Sequence, residues 1–270
     1  QPYGEWLDNN LVQLHDLKIP NQKVPMHTKE ERARLQKAFG YTYEDLKTSI
    51  LPMALNGSES IGAMGIDTPL AVLSNKHQPL FNYFKQLFAQ VTNPPIDSIR
   101  EKVVTSTTVY LGTDGNVLEE KAENCKQLKI NDPILTNTDL LKIKNMKVDG
   151  FKVETIPIIY YKNTSLEKAI DHLFVEVDRA HREGANIIIL SDRGVDENHV
   201  AIPSLLAVSA LQQYLVQTKK RTAMAVILES GEPRDVHHFA TLLGYGASAI
   251  NPYLAQESIQ ELIDLNMLDK

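Results

Sequence analysis

The second half of the 270-residue chain alternates short, wholly apolar runs with longer helical patterns. Such runs are typical of strands buried on both faces, and the intervening helices favour right-handed βαβ units. From Thr164 onward we therefore predict a mostly parallel sheet flanked by helices, either half of a barrel or one wing of an open sheet. The predicted helices are 165–183, 203–217, 234–243 and 255–265, and the predicted strands are 186–190, 223–228 and 247–250.

The chain before this repeat carries mixed signals. Thr28 and Glu31 form a capping box, and a second short helix from Thr42 is interrupted near Pro52. The stretch before Thr28 has little periodicity and predicts an extended lead-in. The next predicted elements are a strand over 103–112 and a β-hairpin turn at 114–115 with a returning strand at 117–118. They are followed by strand 126–133, helix 137–144 and an edge strand in 152–161.

One stretch between these parts is irregular at both ends. Gly62 and Gly65 precede a proline and predict backbone conformations that side chains disfavour. Pro79 suits the first turn of a helix, and apolar residues at helical spacing predict an amphipathic helix over 79–91, ended by paired prolines. Its apolar face would comprise Leu80, Phe84, Leu87, Phe88 and Val91.

Charge and cysteine content argue against several classes of protein. Lys and Arg number 28 against 34 Asp and Glu, so the net charge of −6 without a basic patch argues against nucleic-acid binding. Cys125 is the only cysteine, which excludes an internal disulfide and fits a reducing cytoplasm. The apolar runs are too short to span a bilayer, and no signal peptide is predicted.

Ligands of parallel α/β folds bind in the loops after the carboxyl ends of strands. Here those loops contain Asp192, Glu232 and Asn251, so a self-sufficient α/β enzyme, a small-anion site and an interaction scaffold all stay open. His237 and His238 would point about 100° apart on a helix, which argues against metal chelation and predicts one packed and one surface histidine. The sequence has no nucleophile elbow, dinucleotide-binding motif or phosphate loop.

Three blocks of sequence carry a resemblance to a known family. They are TPLAVLS at 68–74, FNYFKQLFAQVTNPPID at 81–97 and ESGEPRDVHHFATLLGYGASAINPYLA at 229–255. They closely resemble the central domain of the large (alpha) subunit of glutamate synthase and of ferredoxin-dependent glutamate synthase. The resemblance covers nearly the whole chain and includes PYGEW at 2–6, ILSDRG at 189–194 and IPSLLAV at 202–208.

The resemblance implies a parent oxidoreductase that makes two glutamates from glutamine and 2-oxoglutarate. Ammonia released in a glutaminase domain travels through a tunnel to a domain that holds FMN and a cysteine-ligated iron–sulfur cluster. The central domain is expected to connect these two domains of the same polypeptide and to line part of the tunnel. The parent's electron donor would be ferredoxin or a small NADPH-oxidising subunit, in the cytoplasm or in a plastid.

This chain alone is expected to be catalytically inactive and to hold no cofactor or metal. The family's glutaminase nucleophile is an N-terminal cysteine, whereas residue 1 is Gln1, and its cluster needs three cysteines, whereas the chain has one. Neither nucleic acid nor a membrane is expected as a partner. The fold implied by the resemblance is a flattened or degenerate relative of a TIM barrel.

The resemblance also points to tunnel residues, and helix 79–91 would fix them at its two ends. Ile66 departs from the family pattern. A purely structural role of Gly62 and Gly65 in turns is the alternative. The implied lining residues are Met64, Gly65, Ile66, Asp67, Thr68, Thr92 and Asn93.

We expect a single domain, 1–270, in three parts. Residues 1–60 form a linker and irregular helical lead-in, residues 61–163 a mixed α/β part with the hairpin, and residues 164–270 the regular βα repeats. A stand-alone enzyme or an interaction scaffold that uses the strand-end loops is the alternative to a tunnel-lining domain.

Overall fold

The computed structural model describes residues 2–60, 70–85, 91, 94–116 and 118–268. The helices are α1 (Tyr3–Asn10), α2 (Lys29–Ala38), α3 (Leu51–Asn56), α4 (Glu101–Val104), α5 (Asn137–Lys144), α6 (Leu166–Arg182), α7 (Ser204–Gln217), α8 (Val236–Gly244) and α9 (Tyr253–Asp264). The strands are β1 (Val12–Gln13), β2 (Val109–Leu111), β3 (Leu128–Ile130), β4 (Val153–Pro157), β5 (Ile159–Tyr161), β6 (Ile187–Ser191), β7 (His199–Ala201), β8 (Ala225–Glu229) and β9 (Ala249–Asn251). A π-helical turn covers Asp45–Ile50, and the short 3₁₀ helices include Leu80–Phe84 and Ala122–Cys125.

A parallel sheet in the order β4-β6-β8-β9 forms the centre of the fold. Successive side chains of a strand point to opposite faces, so both faces of β6 need cover. Ile188 and Leu190 pack with residues of α6, α7 and α8, whereas Ile187 and Ile189 pack with α5, β2 and β3. The central strands β6 and β8 are therefore apolar up to their last residue, because each is buried on both faces.

The predicted fold class is confirmed: the chain is mixed α/β, with a parallel sheet flanked by helices. The elements predicted after Thr164 occur within a few residues of their predicted bounds, since their signals are local. Ser165, for example, caps α6 by accepting the N–H of Lys168. Within the described ranges the sheet stays open rather than closing into a barrel, and none of the described helices is long and apolar enough to cross a membrane.

A smaller sheet, in the order β1-β3-β2, packs on one side of the parallel sheet. β2 and β3 are antiparallel, but the turn predicted at Asp114–Gly115 does not join them directly. Leu118 lies in a turn with its side chain 90% exposed, and Val117 lies outside the described residues. Asn124 stabilises a longer connection by donating to the carbonyls of Asn116 and Glu119, so the returning strand is β3.

The strand predicted over 103–112 is correct only from Val109 to Leu111. Before it, Glu101–Val104 is helical because Asp97 Oδ1 accepts the N–H groups of Ile99 and Arg100 and starts the turn. The side chain of Val103 is exposed, so burial in a sheet does not oppose this local helix.

The lead-in is more helical than predicted. Tyr3–Asn10 forms α1, where Tyr3 packs edge-on against Trp6 and donates a hydrogen bond to Glu120. The capping box that begins α2 at Thr28 is confirmed. Farther along, the π-helical turn changes to α3 at Leu51, next to a proline that lacks an N–H group.

The α-helix predicted over 79–91 is wrong in its described part. Leu80–Phe84 is a 3₁₀ helix, and Lys85 after it has extended backbone, with φ −80° and ψ 124°. Residues 86–90, 92 and 93 lie outside the described residues. Helical spacing therefore does not determine the backbone here.

The predicted apolar face of this segment is correct at Leu80, which packs against the core, but wrong at Phe84 and Val91, which are exposed. The other two residues of that face lie outside the described residues. Phe81, which does not belong to that face, is completely buried, whereas Phe84 is 44% exposed. Phe81 packs in the core cluster that includes residues of α6 and α7, and its ring stacks on His238 of α8. The tertiary contact of one ring thus overrides the helical pattern.

Replacing Phe81 by alanine should lower the free energy of unfolding by about 3–5 kcal/mol, because it removes a completely buried ring. The matched control Phe84→Ala removes a half-exposed ring with an edge contact to Tyr245 and should cost about 1 kcal/mol. Urea denaturation of the purified chain measures both losses. A larger loss for Phe84→Ala than for Phe81→Ala would contradict the observed burial.

Candidate functional site

The residues predicted to line a tunnel lie outside the described residues, so their role stays a prediction. They are Met64, Gly65, Ile66, Asp67, Thr68, Thr92 and Asn93. The other site predicted from the sequence, the carboxyl edge of the parallel sheet, lies wholly within the described residues.

Asp192 follows β6 directly and is buried at this edge. Its Oδ1 accepts the hydroxyl of Tyr253 (2.9 Å), its Oδ2 accepts the hydroxyl of Ser230 (2.5 Å), and both oxygens lie 3.1 Å from the N–H of Gly231. Ser230 and Gly231 follow β8, and Tyr253 begins α9 shortly after β9. One buried carboxyl group therefore joins the ends of three neighbouring parallel strands.

Burial raises the pKa of Asp192 to about 7, although the hydrogen bonds from Ser230, Tyr253 and Gly231 favour the charged form. When Oδ2 is protonated it can donate to Ser230 Oγ, so that contact survives in the neutral acid. Burial beside Asp192 also raises the pKa of the Tyr253 hydroxyl, which stays a donor. Asp192 is thus a buried acid that changes charge near neutral pH.

Glu229, the last residue of β8, is buried between two cations. Lys144 Nζ donates to Oε2 (2.7 Å), and Arg193 Nε donates to Oε1 (2.6 Å). Burial opposes ionisation, but Lys144 and Arg193 hold the pKa of Glu229 below its ordinary value. The Arg193 guanidinium also lies 4.0 Å from the centroid of the Tyr253 ring. This cluster fixes α5 and the loop after β6 to the end of β8.

Glu257 on α9 is a further buried acid, and its partner comes from the lead-in. The backbone N–H of His27 (3.2 Å) and its Nδ1 (2.8 Å) both contact Oε2 of Glu257. Since a carboxylate only accepts, Nδ1 of His27 carries a hydrogen. Burial opposes ionisation of Glu257, but the His27 hydrogen bonds hold its pKa below the ordinary value. The pair attaches the lead-in to the sheet edge.

Arg234 attaches the end of α2 at the same edge. Its guanidinium donates to the carbonyls of Phe39 and Gly40 (3.0 Å each) and lies 4.3 Å from the centroid of the Tyr41 ring. The Tyr41 hydroxyl donates to the carbonyl of Gly231 (2.8 Å). A Cβ on Gly231 would lie 2.7 Å from the Phe39 ring, so glycine permits this close approach. The lead-in therefore covers the strand ends.

The remaining strand-end residues also hold elements together. Glu232 Oε2 accepts the N–H (2.8 Å) and hydroxyl (2.6 Å) of Ser204, the first residue of α7. Asn251 Nδ2 donates to the carbonyl of Leu135 (3.0 Å) and to Asn137 Oδ1 (3.1 Å). Asp192 and Glu232 thus meet at the loop after β8, whereas Asn251 faces the start of α5. This engagement favours a structural role for all three.

A cleft of about 420 Å³ lies beside this network, between α2 and the loop after β6. Its polar wall includes His27, Glu31 and Asp196. His27 is held by Glu257, Glu31 completes the capping box of α2, and Asp196 accepts two backbone N–H groups of its own turn. These three side chains of the cleft therefore already have structural partners.

The paired histidines do not form a metal site with their neighbours. His238 is buried as predicted, but the second histidine is not on the free surface: His237 is half-buried and contacts the carbonyl of Phe81. Across the part of the chain that the structure describes, no three His, Cys, Asp or Glu side chains are placed to hold a metal ion.

Sequence reasoning missed Lys144, Glu257 and His27, because their partners are far away in the chain. Lys144 is 85 residues from Glu229, and His27 is 230 residues from Glu257. One signal was available: Glu229 ends a wholly apolar strand, where a buried charge requires a partner.

The open parallel sheet with covered strand ends defines a barrel-related α/β domain. The family model described as "Glutamate synthase central domain" matches residues 34–270. The NADPH glutamate synthase large chain of Bacillus subtilis is 44% identical over 268 residues, which are 99% of this chain and 17% of that protein. The NADH glutamate synthase of Schizosaccharomyces pombe (40% identity; 98% and 13%) and the chloroplastic ferredoxin-dependent glutamate synthase of Spinacia oleracea (39%; 96% and 16%) are also similar.

The chain belongs to the glutamate synthase central domain family. It spans only 13–17% of the length of these relatives, which are themselves glutamate synthases by name. The resemblance seen in the sequence is thereby confirmed.

Replacing Asp192 by asparagine should remove a pH dependence of stability. Between about pH 4 and pH 7 the unfolded acid ionises while the folded acid stays neutral, so this group's contribution to stability falls as pH rises. The free energy of unfolding of the wild type minus that of Asp192→Asn should therefore be larger at pH 5 than at pH 8, by about 1–3 kcal/mol. Urea denaturation at both pH values measures it; a difference that does not change with pH would contradict the neutral buried acid.

Proposed function

We propose that the chain is a non-catalytic central domain of a larger glutamate synthase, which connects the glutaminase and FMN domains and lines part of the ammonia tunnel. The small share of its relatives' length that the chain covers supports a role within a longer polypeptide. The parent reaction would convert glutamine and 2-oxoglutarate into two glutamates. FMN and the iron–sulfur cluster would be held by the neighbouring domain.

Exposed apolar side chains within one stretch of the chain are the observation that carries the connecting role. Apolar side chains flank the predicted tunnel segments and are largely solvent-exposed in this chain, above all Val91 (75%), Ile99 (84%) and Val103 (79%). Several exposed apolar groups within one stretch are typical of a surface that another protein or domain covers. We infer that the neighbouring domains of the polypeptide cover this stretch.

The covered carboxyl edge of the sheet supports a role without catalysis. In related folds catalytic groups occupy the loops at this edge. Here Asp192, Glu229 and Glu257 are buried and bonded to other elements, and the lead-in lies over the strand ends. That arrangement supports a rigid connector rather than a reaction site.

The proposed tunnel role concerns residues that are identified only from the sequence, because they lie outside the described residues. A conduit for neutral ammonia needs a narrow wall that excludes water. Gly65 would let the backbone form that wall, and Met64, a flexible apolar side chain, would act as its gate. Ile66, Asp67, Thr68, Thr92 and Asn93 would complete it.

The relatives support proposals for the partners and the compartment of the parent enzyme. We propose ferredoxin or a small NADPH-oxidising subunit as electron donor to the parent enzyme, since relatives of both kinds are similar to this chain. The compartment would be the cytoplasm, or the plastid where the source is photosynthetic, as the chloroplastic relative suggests.

Replacing Gly65 by leucine in the full-length enzyme should uncouple the two half-reactions, because a side chain in the conduit obstructs ammonia transfer. The amount of glutamine hydrolysed per glutamate formed from 2-oxoglutarate should rise. Gly4→Leu is the matched control, since a Cβ at Gly4 would meet no atom within 4 Å. A ratio that stays at the wild-type value in Gly65→Leu would remove the support for the tunnel role.

A further inference from the structure

The adjacent histidines of α8 both contact one residue of the 3₁₀ helix Leu80–Phe84. The imidazole of His238 stacks on the ring of Phe81, with centroids 4.3 Å apart and planes inclined by 20°. Nε2 of His237 lies 2.9 Å from the carbonyl oxygen of Phe81. Side chain and backbone of Phe81 are thus held by two neighbouring residues of one helix.

The contact of His237 defines its hydrogen-bonding state. A carbonyl oxygen only accepts, so Nε2 of His237 carries a hydrogen and donates it to Phe81. This bond anchors the backbone of a short helix that ends three residues later, at Phe84. The hydrogen bond therefore fixes the main chain at Phe81, which packing of the ring alone does not do.

His238 is held in place from several sides. The N–H of Arg234 donates to its Nδ1 (3.2 Å), so the hydrogen of the neutral ring is on Nε2, 3.5 Å from Asp235 Oδ2. Its own backbone N–H donates to Asp235 Oδ1 (2.8 Å) in the N-cap of α8. Burial lowers the pKa of His238 to about 4, so the ring on Phe81 is neutral at physiological pH. The stacking platform is thus rigid.

The clamped segment occupies a particular place in the chain. Lys85 is seven residues before Thr92, and Leu70 is two residues after Thr68, so the described stretch 70–85 lies between the two groups of predicted tunnel residues. Phe84 also packs edge-on against Tyr245, the residue that follows α8, with the ring centroids 5.2 Å apart. The contacts with α8 therefore fix the described chain between the two groups.

We propose that His237 and His238 are positioning residues for ammonia transfer, which hold Phe81 against α8 and so fix the segment between the two tunnel-lining groups. The proposal rests on the tunnel function proposed above and extends it to α8. Neither histidine would touch ammonia or substrate; both act through Phe81.

The test uses the full-length enzyme and two readouts. One is the glutamine hydrolysed per glutamate formed from 2-oxoglutarate, and the other is hydrogen exchange of the Asn82 amide, which donates to the Pro79 carbonyl. His237→Ala should raise the first ratio by about twofold or more and speed the exchange, since small displacements of a preorganised path have large kinetic effects. His237→Gln, whose side-chain amide donates from a position close to Nε2, should restore both to near wild-type values.

The exposed His172 supplies the matched control, and His172→Ala should leave both readouts unchanged. Faster exchange with an unchanged ratio in His237→Ala would overturn the positioning role. Uncoupling by Gly65→Leu but not by His237→Ala would overturn this proposal alone, whereas uncoupling by neither would overturn the tunnel function itself. If His237→Ala does not fold, His237→Asn, whose shorter amide falls short of the carbonyl, gives the same test.

Discussion

The structure depends on pairing the buried acids at the carboxyl edge of the parallel sheet. Glu229 takes its cations from α5 and the loop after β6, Glu257 takes His27 from the lead-in, and Asp192 collects donors from the ends of β8 and β9. An unpaired acid in this place would be strongly destabilising, so the lead-in has to lie over the strand ends. The edge that other barrel-related proteins use for catalysis is therefore occupied by structural contacts.

The βα repeats and the irregular stretch before them differ in structural role. The βα repeats are a closely packed support, with β6 and β8 buried on both faces. Val91, Ile99 and Val103, each at least 75% exposed, belong instead to the irregular stretch around the clamped 3₁₀ helix, which α8 holds through Phe81. A rigid support next to a stretch with exposed apolar side chains suits a domain that connects its neighbours within a longer chain.

Local sequence signals made the helices and strands of the βα repeats predictable. The wrong predictions fall where such local signals are absent. The capping residues of α2 and α6 and the uninterrupted apolar strands are readable within a few residues of sequence. The segment after Pro79 was misassigned because its geometry depends on Phe81 reaching the core, which no helical spacing reveals. Strand topology correctly placed Asp192 and Glu232 in loops at the carboxyl edge of the sheet, whereas the contact between His27 and Glu257 crosses 230 residues. The predicted tunnel residues were implied by the resemblance to the glutamate synthase family and not by the spacing or chemistry of the residues themselves.

Isotope dilution in the full-length enzyme tests most directly whether this domain forms a wall of the conduit. The enzyme would receive glutamine labelled with ¹⁵N in its amide together with excess unlabelled ammonium, and the label would be measured in glutamate formed from 2-oxoglutarate. With the wild type we expect the label to be retained whatever the external ammonium, and with Met64→Lys, which places a charge at the proposed gate, we expect it to be diluted. Undiluted label in an active Met64→Lys enzyme would contradict the assignment of this domain to the tunnel wall.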